Sequence, residues 1–126
     1  MNSKTILNLE PIKDGDKIIG VNIPLINKSL LFADISEEKM EWEKAVKHAE
    51  DMGKELPDKS EIYILQYFRE QIAEYWPKFR DLAIWSRTQY SEHTAWYVLY
   101  SGLVDRYHKY IAFTAVPLAD LMTSNS

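Results

Sequence analysis

A change of hydrophobic period partway along the chain constrains its fold more than any other feature. Trp42, Ala45, Val46, Ala49 and Met52 recur at the spacing of one helix face, while Glu41, Glu43, Lys44, Lys47, Glu50 and Asp51 take the opposite face. Ser36 is placed to cap this helix and Gly53 to end it. Upstream, Lys17–Leu25 (KIIGVNIPL) and Ser29–Asp34 (SLLFAD) read as two strands around a turn at Asn27-Lys28. Downstream, Asp58 with Glu61 opens a second helical pattern close to a capping box. Ile62, Leu65, Phe68, Ile72 and Tyr75/Trp76 carry that pattern forward until Pro77 closes it. Beyond Lys78 the helical period is gone. Ala83–Ser86, Ala95–Tyr100, Leu103–Tyr107 and Ile111–Leu118 read as short strands, the middle two joined by a tight turn at Ser101-Gly102. Strands, two helices and a strand meander predict an α+β fold.

A length of 126 residues suits one domain, expected to span the whole chain. Its organised part is expected over about 17–121, with poorly structured ends at 1–16 and 122–126. Hydrophobic residues make up 46% of the chain, enough for a core without metal or disulfide staples. There is no cysteine, which excludes disulfides, thiol nucleophiles, iron–sulfur clusters and cysteine-ligated zinc. With 15 Lys+Arg against 19 Asp+Glu, the chain lacks the basic excess of a general nucleic-acid binder. Met1–Leu9 contains no apolar run of signal-peptide length, and no stretch reaches the ~18–20 apolar residues of a membrane span. The expected location is the cytoplasm or the inside of an assembled particle, away from membranes. The sequence names no oligomeric state.

Chemistry is thinly marked. His48 lies on the polar side of the first helix, where solvent exposure explains it. His93 and His108 sit near Glu92 and Asp105, but no H-x-H or H-x-x-E-H spacing supplies a metal site. Glu37/Glu38 and Glu50/Asp51 read as helix-surface charge, and Ser86, Thr88 and Ser91 lack a nucleophile-elbow context. Four glycines form neither a P-loop nor a dinucleotide fingerprint, so no cofactor and no enzymatic activity are expected. The aromatic C-terminal half is the exception. Strand alternation sends Trp96, Val98 and Tyr100 to one face and Tyr97 and Leu99 to the other, with Trp42, Trp85 and Trp96 expected in the core. Arg87, Tyr90, Glu92, His93, Arg106, Tyr107 and His108 alternate with these and lie near turns. Tyr, Arg and His give large contact area at modest entropic cost, so these seven are the candidate ligand-binding residues. An ordinary aromatic sheet with a solvated outer face is the competing reading.

Two blocks carry a family resemblance. WEKAVKHAEDMGKELPDKSEIYIL (Trp42–Leu65) resembles the W-x-x-A…G-x-x-LP-x-x-x-E block of bacterial C-type-lectin-like domains. IWSRTQYSEHTAWYVLYSGLVDRYHKY (Ile84–Tyr110) is similar to their WSSTqYs…AW…f…G…K block. Together with the preceding strands, the resemblance covers roughly Ile18 to Leu121. Such domains occur in uncharacterised bacterial proteins, in relatives of formylglycine-generating sulfatase-modifying enzymes, and in variable proteins of phages and diversity-generating retroelements. The resemblance implies a C-type-lectin-like fold and, from the variable proteins, ligand contact through the region of the second block. The chain also departs from the family. Arg87 stands where Ser is frequent, Val116 stands where a C-terminal Arg is usual, and the E-P-N, Q-P-D and W-N-D calcium–sugar triplets are missing. Without cysteine, the sulfatase-modifying chemistry is not implied. The expectation is a non-catalytic module recognising a protein or glycan. The alternatives are a structural subunit of a phage or mobile-element assembly, or a degenerate relative of the sulfatase-modifying enzymes.

Overall fold

A computed structural model describes residues 8–121. The fold is α+β, with three α-helices and two antiparallel sheets among the described residues. The first sheet has the order β1-β2-β3-β7, from Glu10–Asp14, Lys17–Ile23, Lys28–Leu31 and Ala119–Asp120. The second has the order β4-β5-β6, from Ile84–Gln89, Thr94–Val98 and Val104–His108. Between the two sheets in sequence lie α1 (Trp42–Glu50), α2 (Lys59–Tyr67) and α3 (Arg69–Tyr75). None of these helices is long and apolar enough to cross a membrane.

The polar stretch before Lys17, expected to lack order, contains β1. Glu10–Asp14 pairs antiparallel with β2, and Gly15 turns the hairpin at φ 65°. Its strand pattern is weak because β1 is an edge strand in which only Glu10 and Ile12 are even half-buried. The next hairpin sits where the β-branched runs placed it, but its loop is longer. Pro24–Ile26 forms a 3-10 turn and Asn27 takes the left-handed conformation before β3 starts at Lys28. Phe32–Asp34, expected within the second strand, is a further 3-10 turn. Gly20 leaves no room for a side chain between β2 and β3: a Cβ there would lie 2.2 Å from the Leu30 carbonyl oxygen.

The first helix forms on the expected stripe but is shorter. Trp42, Ala45 and Ala49 are buried, whereas Met52 lies past the end and is exposed. Ser36 does not cap it. The Ser36 hydroxyl donates to the Glu38 carbonyl and accepts the Ala115 N–H, and the helix begins six residues later behind Glu41. The expected second helix is two. The Asp58/Glu61 capping box is complete: Asp58 accepts the Glu61 N–H at 2.8 Å and Glu61 accepts the Asp58 N–H at 2.9 Å. Phe68 then breaks the run between α2 and α3 while its ring stays fully buried. The run 111–118, read as a strand, is mostly not one. It threads through the centre as single exchanges with three segments: Phe113 with Met40, Thr114 with Ala83 and Trp85, and Leu118 with Glu55.

The second sheet is sandwiched. Ile84 and Val98 face a cluster with Ile62, Leu65, Phe68 and Ile72 of α2–α3 and with Val21, Ile23 and Leu30 of the first sheet. Trp85, Ala95 and Tyr97 face Trp42, Ala45 and Ala49 of α1. Each fully buried aliphatic or aromatic side chain contributes roughly 1.5–3 kcal/mol relative to exposure, so the strand alternation fixes both packing faces at once. Among the described residues no buried side-chain polar atom lacks a hydrogen-bond partner.

Candidate functional site

The strand register sorts the candidate residues onto different surfaces. In β5–β6, Trp96 lies opposite Arg106, and Ala95 opposite Tyr107. Arg106 and Trp96 therefore share the α2 side of the sheet, while Tyr107 falls on the α1 side. The β4–β5 turn swings Tyr90 back onto the first of these faces, where its ring meets Trp96 edge-on at 5.8 Å. The turn is pinned by the Tyr90 and Ser91 N–H groups, both donating to the Thr94 carbonyl, and by a 2.7 Å contact between the Ser91 and Thr94 hydroxyls.

The result is a layered set of rings and cations. The Arg106 guanidinium lies 4.1 Å from the centre of the Tyr90 ring and 5.9 Å from that of Trp96. The Lys59 ammonium, from the first turn of α2, lies 3.7 Å over Trp96. Lys59 reaches that position because its backbone N–H donates to the Thr88 hydroxyl at 2.8 Å, tying the helix start to β4. Such cation–ring contacts stabilise by about 0.5–1 kcal/mol at exposed sites. Tyr90 is 54% exposed, while Trp96 is half-buried and packs against the core beneath it.

Arg87 sits beside this face but is already engaged. Its pairing ladder is interrupted by a bulge, since Trp85 pairs with Tyr97 and Gln89 with Ala95. Across the bulge the Arg87 N–H donates to the Pro57 carbonyl at 2.7 Å, and its guanidinium lies 3.7 Å from Glu55 and 3.6 Å from Asp58. Burial of Asp58 works against its charged form. The Glu61 N–H, Ser60 and the Arg87 charge outweigh that and hold the carboxyl below its ordinary range.

The remaining candidates belong to the opposite side and the strand end. Tyr107 meets Tyr97 and Phe113 edge-on at 6.0 and 6.2 Å, extending the cluster over α1. Burial raises the Tyr97 phenol above its usual pKa, with Asp105 and Tyr107 acting in the same direction. His108 stacks on Tyr110 at 5.2 Å. Glu92, His93 and His108 line a shallow cleft of about 480 Å³ together with Glu41, Glu43 and Lys109. Lys109 donates to Gln89 and to the Glu92 carbonyl while lying 4.4 Å over the Trp42 ring. Among the described residues no group of three or more His, Asp or Glu converges closely enough to hold a metal ion. His48, read as solvent-exposed, is half-buried instead. Its Nε2–H donates to the Asp34 carbonyl at 2.8 Å, and a carbonyl can only accept.

The seven residues thus divide among three places: Tyr90 and Arg106 meet on the Trp96 face with Arg87 beside it, Tyr107 lies on the α1 side, and Glu92, His93 and His108 share the cleft at the strand end. Two members of the first face, Lys59 and Trp96, were not among the candidates. Trp96 read as core and is half-buried; Lys59 carried no reading of its own. The signal available for both was adjacency, since Lys59 follows the cap residue Asp58 and Trp96 alternates with core residues. The chain matches no protein-family model and no curated protein.

Proposed function

We propose that the chain is a non-catalytic, C-type-lectin-like binding module that recognises a protein partner through the Tyr90–Trp96–Arg106–Lys59 face. The supporting observation is the layered contact of Arg106 with Tyr90 and Trp96 on an exposed sheet face. Trp, Tyr and Arg are the residues that dominate protein-interface energetics. The family resemblance points to the same end of the fold. A glycan is the weaker choice of ligand. Sugars stack on open indole or phenol faces, and Lys59 already covers Trp96 at 3.7 Å. Two cations beside the rings favour a partner surface carrying carboxylates.

The test is a display screen of folded protein ligands run beside a glycan array. Wild type should select protein ligands whose affinity falls at least about thirtyfold with Arg106→Ala or Tyr90→Ala, at unchanged melting temperature. Lys47→Ala and Glu50→Ala on the outer face of α1 should leave affinity unchanged. Glycan-array hits alone, or binding lost with the α1 changes and retained with the sheet changes, would overturn the reading.

A further inference from the structure

A second concavity lies away from this face, sharing none of its residues, and has a different chemistry. It measures about 590 Å³, within the ~300–1,000 Å³ of small-molecule sites. Its floor is apolar: Phe32 and Trp76 stack at 5.6 Å with their rings 7° from parallel. Its wall includes two consecutive strand residues, Ile18 and Ile19. In a regular strand their side chains would point to opposite faces. Here Ile12 pairs with Gly20 and Lys13 with Ile18, so Ile19 is the extra residue of a β-bulge. Bulges re-aim side chains, and this one directs both isoleucines into the same cleft.

The rim is cationic. Lys17 from β2, Lys39 from the segment before α1 and Lys78 from the 3-10 turn after α3 all line the cleft, against the single carboxylate of Glu37. Among the described residues, none of these three lysines has an ion-pair partner, although the chain as a whole carries a net charge of -4. Three separate elements converge to give an acidic protein a net positive rim around an aromatic floor. An apolar body would displace water from the Phe32–Trp76 stack, and an anionic head would meet the lysines.

We propose that this cleft binds a small amphiphilic anion, with an alkyl or aryl body and one anionic head group. The experiment titrates the protein with sodium octanoate, following backbone amide shifts. Octyl phosphate, octanol and octylamine serve as matched probes of the head group. Saturable octanoate binding is expected, with the largest shifts at residues 17–19, 32–36 and 76–78. Octanol and octylamine should bind at least about tenfold more weakly, since each loses the charge complementarity. The double variant Lys39→Glu/Lys78→Glu alters two exposed residues. It should weaken octanoate at least about tenfold without shifting the melting temperature. Lys44→Glu/Lys47→Glu changes net charge equally on the outer face of α1 and should leave binding intact. A preference for octyl phosphate over octanoate would identify the head as a phosphate and keep the proposal. Equal binding of octanol, shifts centred elsewhere, or no saturation below about 10 mM would overturn it. None of these outcomes depends on the Arg106 face.

Discussion

Trp42 and Trp85 each donate an indole N–H to the backbone beside the other: Trp42 to the Ser86 carbonyl at 2.8 Å, Trp85 to the Met40 carbonyl at 2.9 Å. The exchange fastens α1 to β4 at the point where the β4 bulge frees the Ser86 carbonyl from the ladder. The two acceptors are not equivalent. The Met40 carbonyl also accepts the Phe113 N–H, whereas among the described residues the Ser86 carbonyl, outside the strand ladder, accepts from Trp42.

Removing only the indole N–H therefore separates the two sites. Trp42→Phe should leave the buried Ser86 carbonyl unpaired, at about 1–3 kcal/mol beyond the loss of ring area. Trp85→Phe should show the packing loss alone, since Met40 keeps a partner. Trp85→Ala, at a site with no exposure, should cost about 3–5 kcal/mol. Urea unfolding of the three variants checks this, and a Trp85→Ala protein as stable as wild type would remove the tryptophan from the core.

Asp58 makes a prediction about acid. Its carboxyl is held below its ordinary pKa in the folded chain, so between the folded and unfolded values the unfolded chain binds more protons. Its contribution is fully present above the unfolded value near ~3.9 and is lost as pH falls through the folded one. Asn caps as well as Asp but carries no charge. Asp58→Asn should therefore be less stable than wild type at neutral pH, and the gap should close as pH drops below about 4. Asp58→Ala should cost about 1 kcal/mol at neutral pH through the lost cap. A wild type-to-Asn gap that widens in acid would contradict the sign.

What the sequence disclosed follows from where the deciding interactions lie. The α1 stripe and the Asp58/Glu61 box are local, set by residues three or four apart, and both are present. Ser36 looked like a cap by the same local logic. It lost that role to a long-range partner, Ala115, 79 positions away. The break at Phe68 was hidden because both α2 and α3 present apolar residues to one cluster, so the pattern runs through the interruption. The run 111–118 has strand composition, but its backbone partners lie in three distant segments that no spacing rule connects. The candidate surface was similarly half-legible. Alternation placed Tyr90 and Arg106 outward, but only the β5–β6 register sets Arg106 against Trp96, and only the α2 start brings Lys59 over it.

Gly20 offers a steric test of the first sheet. Ala in place of a strand Gly ordinarily gains roughly 0.5–1 kcal/mol. Here the added methyl would lie 2.2 Å from the Leu30 carbonyl oxygen and 3.0 Å from Leu31 Cα, both backbone atoms that cannot swing aside. Gly20→Ala should therefore destabilise by about 1–3 kcal/mol as β2 and β3 are forced apart. Amide exchange should accelerate along the β2–β3 pairing first. A stabilised variant would show that the two strands have slack the structure does not contain.

Arg69 is the residue whose role was least legible and whose removal should be among the most costly. No motif or spacing in the sequence singles it out, yet it is 3% exposed and all three guanidinium nitrogens donate. Nε donates to Gln66, Nη1 to the carbonyls of Phe79 at 2.9 Å and Leu82 at 2.8 Å, and Nη2 to that of Leu99 at 3.2 Å. Burial lowers its pKa, with Asp81 and Glu70 acting in the opposite sense. One planar cation thereby joins α3, the 3-10 turn at Pro77–Asp81 and the β5–β6 turn. Nη1 also reaches the Arg80 carbonyl at 3.3 Å; among the described residues the Leu82 and Arg80 carbonyls have no other donor, whereas Phe79 and Leu99 also accept the Leu82 and Gly102 N–H groups. Arg69→Met keeps the length of the side chain and removes all its donors. It should cost about 3 kcal/mol or more, the sum of the carbonyls left without a donor and those weakened. Arg69→Lys keeps the charge but cannot span the same fork, so it should recover only part of that loss. The exchange rate of the Gly102 amide should rise in both variants, because the Leu99 carbonyl it bonds loses its second anchor. If Arg69→Met unfolds within about 0.5 kcal/mol of wild type, as an ordinary surface change would, the guanidinium is not what holds these turns together.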